Sequence, residues 1–184
     1  GLSPWNASLL LIPGYILGGA IAPFAGRLSD RLGARVVASA GLLMQAAGML
    51  TYSTLLVQTP LYVVVAGAIV NGAGSSTFFP ANNSAAMASA PRGAYGIASG
   101  LLRTFSNIGM VSSFAVALLI ASLSIPQQLA FEIFLGVGKI NGSLSGAFVD
   151  GMHSALVGSL SILVVALLLS ILRGKEARTA AAQA

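Results

Sequence analysis

The sequence has no cysteine, one histidine, and only four acidic side chains against nine basic ones in 184 residues. Without cysteine there is no disulfide, no thiol nucleophile and no thiolate metal ligand. One histidine cannot furnish a zinc site of ordinary ligand spacing. Charged residues make up 7% of the chain, whereas a typical soluble domain carries about 25%, so the chain cannot cover a globular surface in water. A water-soluble enzyme is thereby excluded. The sequence also lacks a Gly-x-Ser-x-Gly elbow and a Gly-x-x-x-x-Gly-Lys phosphate loop, which removes serine hydrolysis and ATP hydrolysis from consideration. The chain is expected to be no enzyme and to use no cofactor or metal.

What is present is apolar: 56% hydrophobic residues and a mean hydropathy of +0.90. No charge falls within 1–26, 36–91 or 104–131, and within 151–172 the only titratable group is His153. About 20 apolar residues rising 1.5 Å each cross a hydrocarbon core of about 30 Å. The runs therefore predict an all-α integral membrane protein with spans at about 7–26, 36–56, 61–81, 97–123 and 154–172. The connection 124–153 is long and rich in Gly and Ser, and its segment 128–137 is expected to form a short interfacial helix. The chain begins at Gly1 with no basic stretch before its first span, so it does not read as a signal peptide. It reads instead as a piece of a longer protein.

The net charge of +5 sits at span ends rather than along one face, so no nucleic-acid partner is expected. Arg27, Arg31 and Arg35, then Arg92, then Arg173, Lys175 and Arg178 occupy alternate connections. By the positive-inside rule these connections are cytoplasmic, with an external N-terminus and a cytoplasmic tail at 173–184. Glycines four apart (Gly14 and Gly18, Gly96 and Gly100) or seven apart (Gly41 and Gly48) suit close helix packing in lipid, although glycine is also simply frequent in membrane spans. Gly142 and Gly146 read better as a flexible linker.

The sharpest local pattern is Gly26-Arg27-Leu28-Ser29-Asp30-Arg31-Leu32-Gly33-Ala34-Arg35 between the first two spans. Its glycines allow a very short reversal, and Asp30 can cap the next helix or pair with an arginine. The alternative is a plain stop-transfer loop whose arginines anchor the spans. The segment resembles the signature loop of the major facilitator superfamily at Gly26, Leu28, Ser29, Asp30, Arg31, Gly33 and Arg35. Ala34 departs from it, because a basic residue is usual there. Five spans with an external start fit that loop's second occurrence, which places the chain as five transmembrane helices of a six-helix C-terminal bundle. A second stretch, Gly72 to Pro80, Pro91, Gly96 to Arg103 and Asn107 to Gly109, is similar to the drug:proton antiporters with fourteen helices.

The resemblance implies alternating access about a midplane cavity between two halves. It implies that Gly26, Asp30, Arg31, Gly33 and Arg35 belong to a cytoplasmic gate whose partner lies in a missing N-terminal half. It further implies that the third span lines the cavity. There Asn71, Ser75, Phe78 and Asn82 share one helical face, giving a candidate substrate stripe, with interhelical hydrogen bonding by Asn71 as the other reading. Arg103 and Asn107, one turn apart, either face the cavity or let the cation snorkel to the interface. Tyr15, beside Pro13 and Gly14, lines the cavity near a kink or packs in the core. Gln45 is read as packing. His153, three residues after Asp150, is read as interfacial rather than as a proton relay.

No predicted span holds a carboxylate, so a proton-coupling site would have to lie outside this chain. The expected partners are the lipid bilayer, a small-molecule substrate, protons and the missing half. The expected function is proton-coupled export of amphipathic or cationic small molecules. A facilitator that imports a metabolite or anion, and a non-transporting membrane scaffold, are the alternatives.

Overall fold

The computed structural model describes residues 4–56, 58–91, 93–124, 131, 135 and 145–172. The predicted helix 128–137 apart from Phe131 and Leu135, the tail 173–184, Arg92 and most of the connection 124–153 lie outside the described residues. Among the described residues the regular elements are α1 (Pro4–Leu9), α2 (Ile12–Leu32), α3 (Ala34–Ser53), α4 (Leu61–Ala88), α5 (Tyr95–Ser124) and α6 (Ser145–Leu172). Five helical stretches are long and apolar enough to cross a membrane, with α1 and α2 forming the first together.

The helices overrun the apolar runs that announce them. α2 continues six residues beyond the predicted end at 26, and α4 continues through Pro80 to Ala88. A charged side chain ends an apolar run but leaves the backbone ladder intact, so the helix stops only where the backbone must change. Pro13 supplies one such place, because it has no N–H to give the Leu9 carbonyl, and the chain breaks between α1 and α2 there. Gly33 supplies another. Its φ of 90° and ψ of 143° reverse the chain in a single residue, with its N–H donating to the Ser29 carbonyl at 2.9 Å.

The signature segment is therefore a helix end, one glycine and a helix start, rather than a loop. Asp30 lies in the last turn of α2, and the N-cap of α3 is Gly33 with no side-chain cap bond. The expectation that Asp30 caps the next helix is corrected accordingly. No L-residue adopts the Gly33 backbone without strain, whereas open space surrounds its Cα. Gly33→Ala is expected to cost about 1–3 kcal/mol through backbone strain alone, read as a lower melting temperature of the detergent-purified protein.

α4 occupies the centre, with α2 on one side and α3 on the other, while α6 packs against α3 and α5. α4 and α5 barely touch. Glycines set these distances. A Cβ placed on Gly72 would lie 2.6 Å from the Gly14 carbonyl oxygen, and one on Gly18 2.5 Å from Ser76 Oγ. Across the other face, a Cβ on Gly41 would lie 2.6 Å from the Phe78 amide nitrogen, and one on Gly48 2.8 Å from that of Asn71. The buried cluster nearby is made of small residues, Ala25, Ala34, Val37, Ala38, Ala81 and Ala85. Such packing replaces the hydrophobic drive that lipid withholds. Gly96 and Gly100 differ, since nothing among the described residues approaches within 4 Å of either position.

Candidate functional site

At the signature end, Gly26 is half-buried with open space beside it, Ser29 is buried, and Arg27, Asp30 and Arg31 are exposed. Arg27 and Arg31, one turn apart, rim a cavity of about 440 Å³ whose other walls are mainly Ile21, Phe24 and Leu28. Arg35 points elsewhere: its Nη2 donates to the Ile171 carbonyl in the last turn of α6. Beside it, Ser39 Oγ and Ser170 Oγ lie 2.8 Å apart. The signature segment is thus divided between an outward charged face and a tie to another helix.

At the opposite end of the same helix pair, His153 Nε2 donates to the Leu55 carbonyl at 2.9 Å. α3 and α6 therefore run antiparallel and are tied at both ends. The suggested pairing of His153 with Asp150 involves an Asp150 side chain outside the described residues.

A small cavity of about 160 Å³ lies between α2 and α4 and brings together Tyr15, Asn71 and Ser75, with Tyr52 joining from α3. Tyr15 is 73% exposed, next to the Pro13 break. Asn71 borders the cavity, and its backbone and Cβ lie close to Gly48 across the α3–α4 contact. Phe78 lies away from this cavity, packed on the small-residue cluster and edge-on to Phe79 with ring centroids 5.4 Å apart. The stripe is divided because α4 crosses its neighbours. Towards Asn71 the gap between α2 and α3 is open, and towards Phe78 it is closed.

Arg103 and Asn107 line a larger cavity of about 540 Å³ where α4 and α5 part, together with Asn83, Ser99 and Ser106. The sequence reading missed Asn83, Ser99 and Ser106. Ser99, Arg103 and Ser106 recur at i, i+4 and i+7 on one face, a signal that was available. Gln45 sits at the α3–α4 crossing against Gly74, and its buried Nε2 has no hydrogen-bond partner. Among the described residues no cluster of three or more His, Asp or Glu side chains is present.

Comparison with known proteins decides the family, because the model of the Major Facilitator Superfamily matches residues 1–182. The chain belongs to the Major Facilitator Superfamily. It is similar to the lincomycin resistance protein LmrB of Listeria monocytogenes, at 26% identity over 171 residues that cover 89% of this chain and 36% of the relative. It is similar to the riboflavin transporter RibZ of Clostridioides difficile, at 28% identity over 131 residues, or 71% of this chain and 28% of the relative. It is also similar to the uncharacterized transporter YebQ of Escherichia coli, at 35% identity over 120 residues, or 65% and 26%. The chain spans about a third of the length of these relatives or less. No solved structure gives a significant match. As a facilitator with five membrane-length helices it is a multi-pass membrane protein of a transporter family whose members handle small molecules.

Proposed function

We propose that the chain forms part of a proton-coupled secondary transporter that exports amphipathic small molecules by alternating access. The observation that carries the reading is the superfamily match over residues 1–182, joined to a relative that confers lincomycin resistance. Two cavities flank α4, and each combines hydrogen-bonding groups with aromatic rings, which suits an amphipathic cargo. The remaining walls would come from the N-terminal half of the same transporter. In this reading the signature end is cytoplasmic, and Gly26, Asp30, Arg31 and Gly33 serve the gate on that side while Arg35 fastens α6 to α3 beside it. The exposed Asp30 and Arg31 are free to meet a second half, and Gly33 keeps the turn short.

Among the described residues neither cavity has a carboxylate in its lining, so a cationic cargo or a proton would find its counter-charge elsewhere. The riboflavin transporter relative favours a second reading, uptake of a metabolite, which differs in direction. The complete product of the gene should be expressed in a bacterial host lacking its own exporters. Lincomycin tolerance is expected to rise several-fold, to collapse with an uncoupler of the proton gradient, and to be lost in Asp30→Asn with membrane levels unchanged. Unchanged tolerance, together with no gradient-driven movement of amphipathic dyes out of cells, would overturn the export reading.

A further inference from the structure

The α4–α5 cavity gathers a cation and several hydrogen-bond donors between two membrane-length helices. Arg103 lies eight residues after the start of α5, about 12 Å along the axis at 1.5 Å per residue. Its guanidinium is a planar cation that offers five N–H donors. Asn83 from α4, with Ser106 and Asn107 from α5, adds further amide and hydroxyl donors around the same space of about 540 Å³. Among the described residues the lining contains no carboxylate. Phe79 and Leu102 provide an apolar wall beside these donors.

A fixed cation within a membrane span is expensive unless it snorkels to the interface or something negative accompanies it, and Coulomb attraction strengthens as the surroundings become less polar. Guanidinium recognition of a carboxylate or phosphate also has the geometric advantage of paired N–H bonds. We propose that the α4–α5 cavity is an anion-binding site, in which Arg103 holds the phosphate, sulfonate or carboxylate of an amphipathic molecule whose hydrocarbon part rests on Phe79 and Leu102. The site adds an anion-binding subsite to the transport reading, beside any cavity that takes an uncharged or cationic cargo, and depends on that reading for its purpose. Binding itself is measured without transport, so the two fail separately. The anionic group belongs either to a solute or to a lipid headgroup, which carry the same chemistry.

The test is equilibrium dialysis of the complete gene product in phosphatidylcholine nanodiscs against benzyl phosphate and benzyl alcohol, with empty nanodiscs as the blank. The two probes share a ring and differ in the phosphate. Benzyl phosphate is expected to bind at least about tenfold more tightly, the ratio that one charge-assisted contact supports. Arg103→Gln should abolish the preference and Arg103→Lys should keep part of it. If Arg103→Gln does not give monodisperse protein, Asn107→Ala serves instead, with a loss confined to benzyl phosphate.

Adding phosphatidylglycerol to the nanodiscs distinguishes the sources. Displacement of benzyl phosphate that depends on Arg103 assigns the site to a lipid headgroup, and undisturbed binding assigns it to a solute. Equal retention of the two probes, no retention above empty nanodiscs, or a preference that survives Arg103→Gln overturns the proposal.

Discussion

Gly74→Ala is expected to destabilise the protein by about 1–3 kcal/mol, the range for forcing an extra methyl group into a filled space. A Cβ at Gly74 would lie 2.6 Å from the Gln45 amide nitrogen and 2.8 Å from the Gly41 carbonyl oxygen. Both are backbone atoms of α3 and cannot swing aside as a side chain can. α3 and α4 must therefore separate, and their contact is the most extensive in the bundle. Gly74→Leu is expected to prevent folding altogether. Gly100→Ala is the control, because no atom comes within 4 Å of that position and alanine favours the helix. The measurement is thermal unfolding of detergent-solubilised protein, followed by size-exclusion chromatography. Gly74→Ala melting with Gly100→Ala would mean that the two helices are not held at this separation.

The same pair of glycines shows what the sequence made legible. Gly14 and Gly18, and Gly41 and Gly48, were recognisable as packing positions, and they meet α4 at close range. Gly96 and Gly100 have the same spacing as Gly14 and Gly18 but face open space. Spacing records that a helix presents a smooth groove; it does not record whether another helix lies in it. Gly72 and Gly74, which receive the neighbours, sit in a stretch noticed only for its resemblance to antiporters. Helix number and the apolar spans followed from the distribution of charge. Helix ends did not, because Gly33 and Pro13 determine them through backbone geometry that hydropathy does not register.

The candidate site was legible to the extent that it depends on one helix. Tyr15, Asn71 and Ser75 come together around one cavity, and Arg103 and Asn107 around another. Asn83 joins the second cavity only because α4 and α5 diverge, a fact of assembly that periodicity along either helix cannot supply. Phe78 shares a face with Asn71 by periodicity, yet it packs into the cluster around Ala25 and Ala81. Its surroundings are decided by α3, which crosses that face further along.

Arg35→Ala is expected to lower stability by about 1–2 kcal/mol, through loss of a charge-assisted bond to a carbonyl at a helix C-terminus. The guanidinium reaches the Ile171 carbonyl, in the last described turn of α6. Its positive charge also opposes the negative end of the helix dipole. Arg35→Lys should recover part of the loss, since the charge remains and one donor can still reach. His153→Ala removes the tie at the other end of the pair and should cost about 1 kcal/mol.

The two ties are separated by most of α6, so the double variant should show additive losses to within about 0.5 kcal/mol. Hydrogen exchange locates each effect: Arg35→Ala should loosen the amides near Ile171 and leave those near His153 protected. This separates two roles for the last residue of the signature segment. An Arg35 that serves only as a gate contact to a second half would leave melting and exchange unchanged while transport fell. An Arg35 that fastens α6 to α3 would lose stability and protection together, and the contact across those helices predicts the second result.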